Sequence, residues 1–82
     1  MATKNLNILY FALLRDQRGL SEEAIQSDAL DAKALYKRLQ EEHGFTLTTC
    51  QLRVAINEAF ADWDTTLSEG DQVVFIPPVA GG

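Results

Sequence analysis

The segment from Leu6 to Leu14 is apolar on both of its alternating faces, and this limits the folds open to the chain. One parity carries Leu6, Ile8, Tyr10 and Ala12. The other carries Asn7, Leu9, Phe11 and Leu13. A strand that is apolar on both faces lies in the interior of a sheet, where both faces are covered. The sequence therefore predicts a sheet with this early segment as a central strand.

The next segments predict a returning strand and one amphipathic helix. Arg15 to Gly19 is polar and ends in glycine, which is typical of a turn, and Leu20 to Gln26 can then return as a second strand. Asp31 is a good N-cap and Gly44 a good C-cap for a helix between them. The apolar residues of that helix recur at helical spacing: Ala32, Leu35, Tyr36, Leu39 and His43.

The last third of the chain is rich in β-forming residues. Leu52 to Ile56 alternates as a half-buried strand, Glu58 to Asp64 is expected to be a turn, and Gln72 to Ile76 is a closing strand. The predicted order is β-β-α-β-β, a mixed sheet of four to five strands packed on one main helix. This is an α+β fold with a body over residues 1–76 and a flexible tail over residues 77–82.

The tail, residues 77–82, combines two prolines with two terminal glycines. Pro77 and Pro78 lack backbone N–H donors, so the sheet ladder stops there and the tail is expected to leave the body extended, with a reach of about 19 Å. Gly81 and Gly82 then present a carboxylate with no side chain beside it, which can enter a channel too narrow for other residues. Gly82 is the expected reacting residue.

The parity of the first and last strands predicts an apolar outer sheet face. If the helix covers one face, Leu9, Phe11, Val74 and Ile76 are left on the other, provided that the two strands pair. Exposed apolar patches of this kind mark interaction sites, so we expect a partner to dock beside the tail.

Composition excludes several classes of function. The 82 residues are enough for one domain, and the net charge of −5 repels nucleic acid and anionic membranes. Cys50 is the single cysteine, so no internal disulfide forms, a reducing cytoplasm is expected, and a buried thiol is favoured. No glycine-rich phosphate loop or metal-ligand pattern is present, and we expect the chain itself to bind no cofactor or metal.

Three segments carry a family resemblance. The sequence Gly-Asp-Gln-Val-Val-Phe-Ile-Pro-Pro-Val-Ala-Gly-Gly over residues 70–82 resembles the end of the ubiquitin-like sulfur carriers of the MoaD/ThiS type, in particular molybdopterin synthase small subunits. Residues 10–16 and 54–57 extend the likeness over nearly the whole chain. Gln72 stands where the family usually has an acidic residue, a difference that affects surface charge only.

The resemblance implies a β-grasp fold and a role for the tail. Gly82 would be adenylated by an E1-like partner that uses ATP, and a sulfurtransferase would supply sulfur for a terminal thiocarboxylate. The larger synthase subunit would receive the tail, with Gly81 threading its channel, and would hold the active site where a cyclic pyranopterin precursor gains the dithiolene sulfurs. The implied partner-binding residues are Phe11, Phe60, Ile76, Pro77, Pro78, Val79 and Ala80.

Three alternatives stay open at this stage. A thiazole-forming sulfur carrier of thiamine synthesis shares the fold and the Gly-Gly end but lacks the Phe-Ile-Pro-Pro pattern. A ubiquitin-like modifier would be joined to target lysines through Gly82. A plain binding domain would carry an inert tail.

Overall fold

A computed structural model describes residues 3–78 as a five-stranded sheet with two α-helices and one short 3₁₀ turn. The elements are β1 Lys4–Tyr10, α1 Ala12–Arg18, β2 Glu22–Ser27, α2 Ala32–His43, the 3₁₀ turn Thr49–Gln51, β3 Arg53–Ile56, β4 Ala59–Ala61 and β5 Gln72–Ile76. The α+β class and the single main helix are as predicted.

The first and last strands meet in the middle of the sheet. The strand order is β2-β1-β5-β3-β4, with β1 and β5 parallel and the other pairs antiparallel. In the central pair Leu9 lies beside Val74, and Tyr10 lies beside Phe75. The prediction that β1 is a central strand is confirmed, and so is the pairing on which the outer-face prediction depended.

Helix α2 covers one face of this sheet with its apolar stripe. It begins where the Asp31 carboxylate accepts a 2.8 Å hydrogen bond from the Ala34 N–H, and it ends at Gly44, whose φ of 72° is left-handed. Both caps are those predicted. The buried side chains between helix and sheet form one cluster: Leu6, Ile8, Tyr10, Leu14, Ala29, Ala32, Leu35, Tyr36, Leu39, Phe45, Leu52, Val54, Leu67, Val73 and Phe75.

Helix α1 corrects the predicted long first strand and the turn after it. The strand ends at Tyr10, and the residues assigned to its end and to the Arg15–Gly19 turn form α1 up to Arg18. An apolar run fits a buried strand and a buried helix equally well by periodicity, and this one contains both. Ala12 makes the change of direction with a left-handed φ of 52°, and Leu14 becomes the buried residue of α1.

Strand β4 corrects the predicted turn from Glu58 to Asp64. Residues 57 and 58 both have positive φ, 52° and 71°, and they link β3 to β4 as a two-residue hairpin turn. Turns of this kind match the twist of paired strands and favour asparagine in the first position. The turn is therefore shorter than expected, and Phe60 belongs to an edge strand.

Asn57 and Asp71 hold this hairpin against β5. The Asn57 amide donates to the Asp71 carboxylate at 2.8 Å, and its oxygen accepts from the Gln72 N–H at 2.9 Å. The second Asp71 oxygen accepts from the Ser68 N–H at 2.7 Å. Asp71 is buried, so these bonds supply the partners that a buried carboxylate needs.

We predict that Asn57→Ala lowers the free energy of unfolding by about 2–3 kcal/mol. The change removes two side-chain hydrogen bonds, and alanine adopts the positive φ of this position less readily than asparagine does. Asn57→Gly should cost less than alanine, since glycine adopts this φ freely. Urea unfolding of both variants measures the two effects. An alanine variant as stable as the native chain would contradict this role of Asn57.

A second polar cluster joins β1, α1 and β2. The Tyr10 hydroxyl donates to Glu23 at 2.6 Å, and Arg18 donates to both oxygens of the same carboxylate at 2.9 and 2.8 Å. The Arg18 hydrogen bonds hold the pKa of Glu23 below its usual value. Burial, and next the Glu23 hydrogen bond, raise the pKa of the Tyr10 hydroxyl.

Stability should fall in acid through this cluster. The folded-state pKa of Glu23 lies below the ordinary value of 4.5, so its contribution is complete above pH 4.5 and is lost as the pH falls toward the folded value. We predict that Glu23→Gln destabilises the chain at pH 7 and flattens the decline of the unfolding free energy below pH 4.5. Glu41→Gln, on the exposed side of α2, is the control. Parallel acid curves for native and Glu23→Gln would refute the assignment.

Candidate functional site

The outer face of the sheet, opposite α2, carries a row of side chains that crosses all five strands. The pairing register places Glu22, Leu9, Val74, Ala55 and Phe60 side by side on β2, β1, β5, β3 and β4. All but Glu22 are apolar. Alternate residues of a strand point to opposite faces, so this row does not belong to the core beneath α2.

A second row of side chains lies two residues further along the strands, at the end of β5. Ile76 is paired with Arg53, and Phe11 keeps an extended backbone (φ −127°, ψ 152°) after Tyr10, so the central register continues and brings it level with Ile76. The two rows together give the outer apolar patch, which comprises Leu9, Phe11, Ala55, Phe60, Val74 and Ile76.

The periphery of the patch is more exposed to solvent than its centre. Phe60 is 71% exposed and Phe11 is 46% exposed, whereas Val74 and Ala55 between them are buried by their neighbours. Exposed aromatic side chains around a closely packed apolar centre are typical of surfaces that bind another protein. The structure therefore brings together the three sequence-predicted docking residues, Phe11, Phe60 and Ile76, on one face.

An open groove of about 600 Å³ lies beside the patch at the start of the tail. Its walls include Phe60, Ile76, Pro77 and Pro78, together with Arg53. The ladder ends at Ile76, as the two prolines predict. Residues 79–82, which include the predicted site residues Val79, Ala80, Gly81 and Gly82, lie outside the described residues.

The groove and patch rest on an aromatic core. Trp63 stacks on Phe75 with ring centres 5.9 Å apart, and Tyr36 meets Phe75 edge-on at 5.1 Å. The Tyr36 hydroxyl donates to the Leu47 carbonyl at 2.6 Å, and burial raises its pKa to about 12. Packed rings of this size fix the underside of the sheet, so the exposed face is a firm platform.

Between residues 3 and 78 no group of three or more histidine, cysteine or acidic side chains is arranged to hold a metal ion. No helix of that range is long and apolar enough to cross a membrane.

Cys50 corrects one sequence prediction. The thiol was expected to be buried, but Cys50 is exposed and lies on the wall of the groove. It belongs to the 3₁₀ turn that precedes β3, an element that was not predicted. The signal for that turn was the capping-box spacing of Thr48 and Gln51, whose side chain accepts from the Thr48 N–H at 3.0 Å.

Arg53 and Ala55 are members of the outer face that were not predicted as site residues. The sequence shows that Arg53 and Ala55 alternate with Leu52, Val54 and Ile56, and this alternation correctly assigns the two sets of residues to opposite faces of the sheet. What was missing was the pairing of β3 with β5, which brings this strand alongside Ile76 and Val74.

Comparison with known proteins agrees with this architecture. The sequence pattern of the ThiS family matches residues 8–82. The chain belongs to the ThiS family. Among curated family relatives, the molybdopterin synthase sulfur carrier subunit of Mycobacterium tuberculosis is 35% identical, over 94% of this chain and 96% of the relative. The subunit of the same name from Haemophilus influenzae is 31% identical over 94% and 99%.

Several solved structures share this fold. A complex of subunits 1 and 2 of the molybdopterin-converting factor from Helicobacter pylori contains a chain 29% identical to this one, with a TM-score of 0.65 over 95% of this chain and 99% of that chain. The small archaeal modifier protein 1 of Methanosarcina acetivorans has a TM-score of 0.79 at 17% identity and full coverage of both chains. A ubiquitin from Caldiarchaeum subterraneum reaches 0.62 at 17% identity, with 99% and 100% coverage.

These findings confirm the family resemblance drawn from residues 70–82 and the ubiquitin-like β-grasp fold that it implied. The two structures at 17% identity bear on the fold alone.

Two phenylalanines of this family member test the separation of the two sheet faces. Phe60→Ala should change the free energy of unfolding by at most about 1 kcal/mol, because Phe60 is on the outer face and mostly exposed. Phe75→Ala, the matched change on the buried face, should cost about 3–5 kcal/mol. Chemical denaturation measures both. Equal losses would place Phe60 in the core and remove the docking surface.

Proposed function

We propose that this protein is the sulfur carrier subunit of a molybdopterin synthase. The observation that carries the proposal is the 35% identity to a curated subunit of that name over 94% of the chain. The outer apolar patch beside the tail supports it, since a carrier must present its end to partners without holding a catalytic site of its own.

The proposed reacting group is the carboxylate of Gly82. A terminal carboxylate has a reference pKa of about 3.5, so it is ionised at neutral pH and is a poor acyl donor. On an E1-like partner, the carboxylate would attack the α-phosphate of ATP, which forms an acyl adenylate and releases pyrophosphate. Sulfide-level sulfur delivered by a sulfurtransferase would then attack the acyl carbon and displace AMP, which leaves a thiocarboxylate.

The thiocarboxylate is the proposed sulfur donor for the dithiolene of molybdopterin. Its sulfur is a soft nucleophile, and an activated acyl group must be kept from water while it reacts. A slender tail inserted into the large subunit meets that need, with Gly81 and Gly82 in the narrowest part and Val79 and Ala80 behind them. The reaction groups and the pyranopterin precursor are then on the large subunit.

The docking surface for the large subunit is proposed to be the outer apolar patch together with Pro77 and Pro78. The Helicobacter pylori relative is a complex of subunits 1 and 2, and this chain is 29% identical to a chain in that structure. Burying one apolar side chain such as Phe60 contributes about 1.5–3 kcal/mol. The patch and the first residues of the tail adjoin in one groove, so docking and insertion are expected to occur together.

The proposal is tested by the intact mass of the protein after incubation with the activating enzyme, ATP and a sulfur source. We expect the mass increase of one sulfur replacing one oxygen, and its loss when the molybdopterin precursor and large subunit are added. Deleting Gly82, or adding one residue after it, should abolish loading while the fold stays intact by circular dichroism.

Three other results would each count against the proposal. Normal loading of the extended chain would exclude Gly82 as the reacting residue. Sulfur delivery to thiazole synthesis alone, shown by a thiamine requirement in a deletion strain with normal molybdoenzyme activity, would assign the thiamine role. Isopeptide-linked conjugates on target lysines without sulfur transfer would assign a modifier role.

A further inference from the structure

Arg53 is the one cation among the described strand residues of the outer sheet face. The pairing registers place these side chains there: Asn5, Asn7, Leu9, Glu22, Ala24, Gln26, Arg53, Ala55, Phe60, Gln72, Val74 and Ile76. Glu22 is the only acid in this set, and it lies on the edge strand β2, with β1 and β5 between it and β3. Arg53 is therefore the one charged residue on the outer face of β5, β3 and β4, whereas Glu22 and Arg15 lie at the other side of the patch, near Leu9.

Arg53 also differs from the other arginines of the chain in its ion pairing. Arg15, Arg18 and Arg38 have carboxylate oxygens at 3.9, 2.8 and 2.7 Å. Within residues 3–78, Arg53 has neither an ion pair nor a side-chain hydrogen bond. A guanidinium carries five N–H donors suited to a bidentate carboxylate, so its binding capacity in this region is unused.

The guanidinium of Arg53 lies in contact with the patch itself. Its central carbon lies 5.9 Å from the centre of the Phe60 ring, within the range of a cation–π contact. Ile76, the last residue of β5, is paired with Arg53 on the other side. A partner that covers Phe60 and follows the tail from Ile76 must therefore also cover Arg53 and remove water from it.

We propose that Arg53 is a specificity-determining residue of the docking surface, and that it pairs with a carboxylate of the synthase large subunit. This inference rests on the proposed function. Arginine and aromatic side chains are common among the residues that contribute most to binding free energy at an interface. Burying an arginine is costly unless an anionic group on the partner pairs with it. The large subunit must therefore present an acidic side chain at the place where the tail enters.

The charge of the whole chain gives this pair a role in orientation. The net charge of −5 attracts cationic surfaces at long range, and it does so without fixing the angle of approach. Arg53 requires the opposite sign at one point of that surface. A partner, or a docking angle, that placed a cation there would be rejected by like-charge repulsion.

The test compares three full-length variants by their dissociation constants for the large subunit, measured by isothermal titration calorimetry. Arg53→Gln removes the charge, and we expect at least a tenfold weaker complex. Arg53→Lys keeps the charge but not the planar fork, and should recover part of that loss. Lys33→Gln makes the same change in net charge on the exposed side of α2 and should stay within twofold of native.

Phe60→Ala separates failure of this inference from failure of the proposed function. If Phe60→Ala weakens the complex and Arg53→Gln does not, the docking surface stands and the role of Arg53 is refuted. Equal effects of Arg53→Gln and Lys33→Gln would also refute it, since net charge alone would then explain the result. If the native chain does not bind the large subunit at all, the proposed function and this inference fall together.

A final measurement distinguishes the partner's carboxylate from the carboxylate of Gly82. Carbon-13 NMR follows the titration of the Gly82 carboxylate in the free native chain and in free Arg53→Gln. Identical titration curves support an anion on the partner. A pKa that rises in Arg53→Gln would show that Arg53 pairs with the chain's own terminus, and the proposal would be wrong.

Discussion

The parallel pairing of β1 with β5 is the contact on which the rest of the structure depends. It joins the start of the described chain to its last strand, and the entropy of closing so long a loop is offset only when both strands are buried in the sheet centre. Leu9 and Val74 meet on one face, while Tyr10 and Phe75 meet on the other. The start of the tail, directly after Ile76, is thereby held at the middle of the sheet.

The same strands supply both the core and the proposed docking surface. Phe75 packs against Tyr36 and Trp63, and the next residue, Ile76, belongs to the outer apolar patch on the opposite face. The two polar clusters, around Asp71 and around Glu23, hold the ends of the sheet through hydrogen bonds away from the apolar patch. A packed body with one apolar face suits the proposed carrier role, because partners can bind it without first ordering it.

Much of this arrangement was determined by the local sequence. Asp31 and Gly44 fixed the limits of α2, because capping depends on a few neighbouring residues. The alternation along β1 and β5 placed Leu9 and Val74 together, since strand geometry assigns side chains to faces at every second residue. Residues 70–82 indicated the family, which the ThiS pattern over residues 8–82 confirms.

Other features depend on contacts between distant parts of the chain, and only the tertiary structure decided them. The apolar run after Tyr10 forms α1, and the helix places Leu14 in the core. The periodicity of a short apolar run cannot distinguish such a helix from a strand. Arg53 lies beside Ile76, where the tail begins, because β3 pairs with β5. The register between two strands cannot be predicted from either strand alone. By itself, the sequence determined the caps, the faces and the family, which depend on neighbouring residues and fixed spacings. The tertiary structure decided which faces adjoin, because that depends on long-range packing.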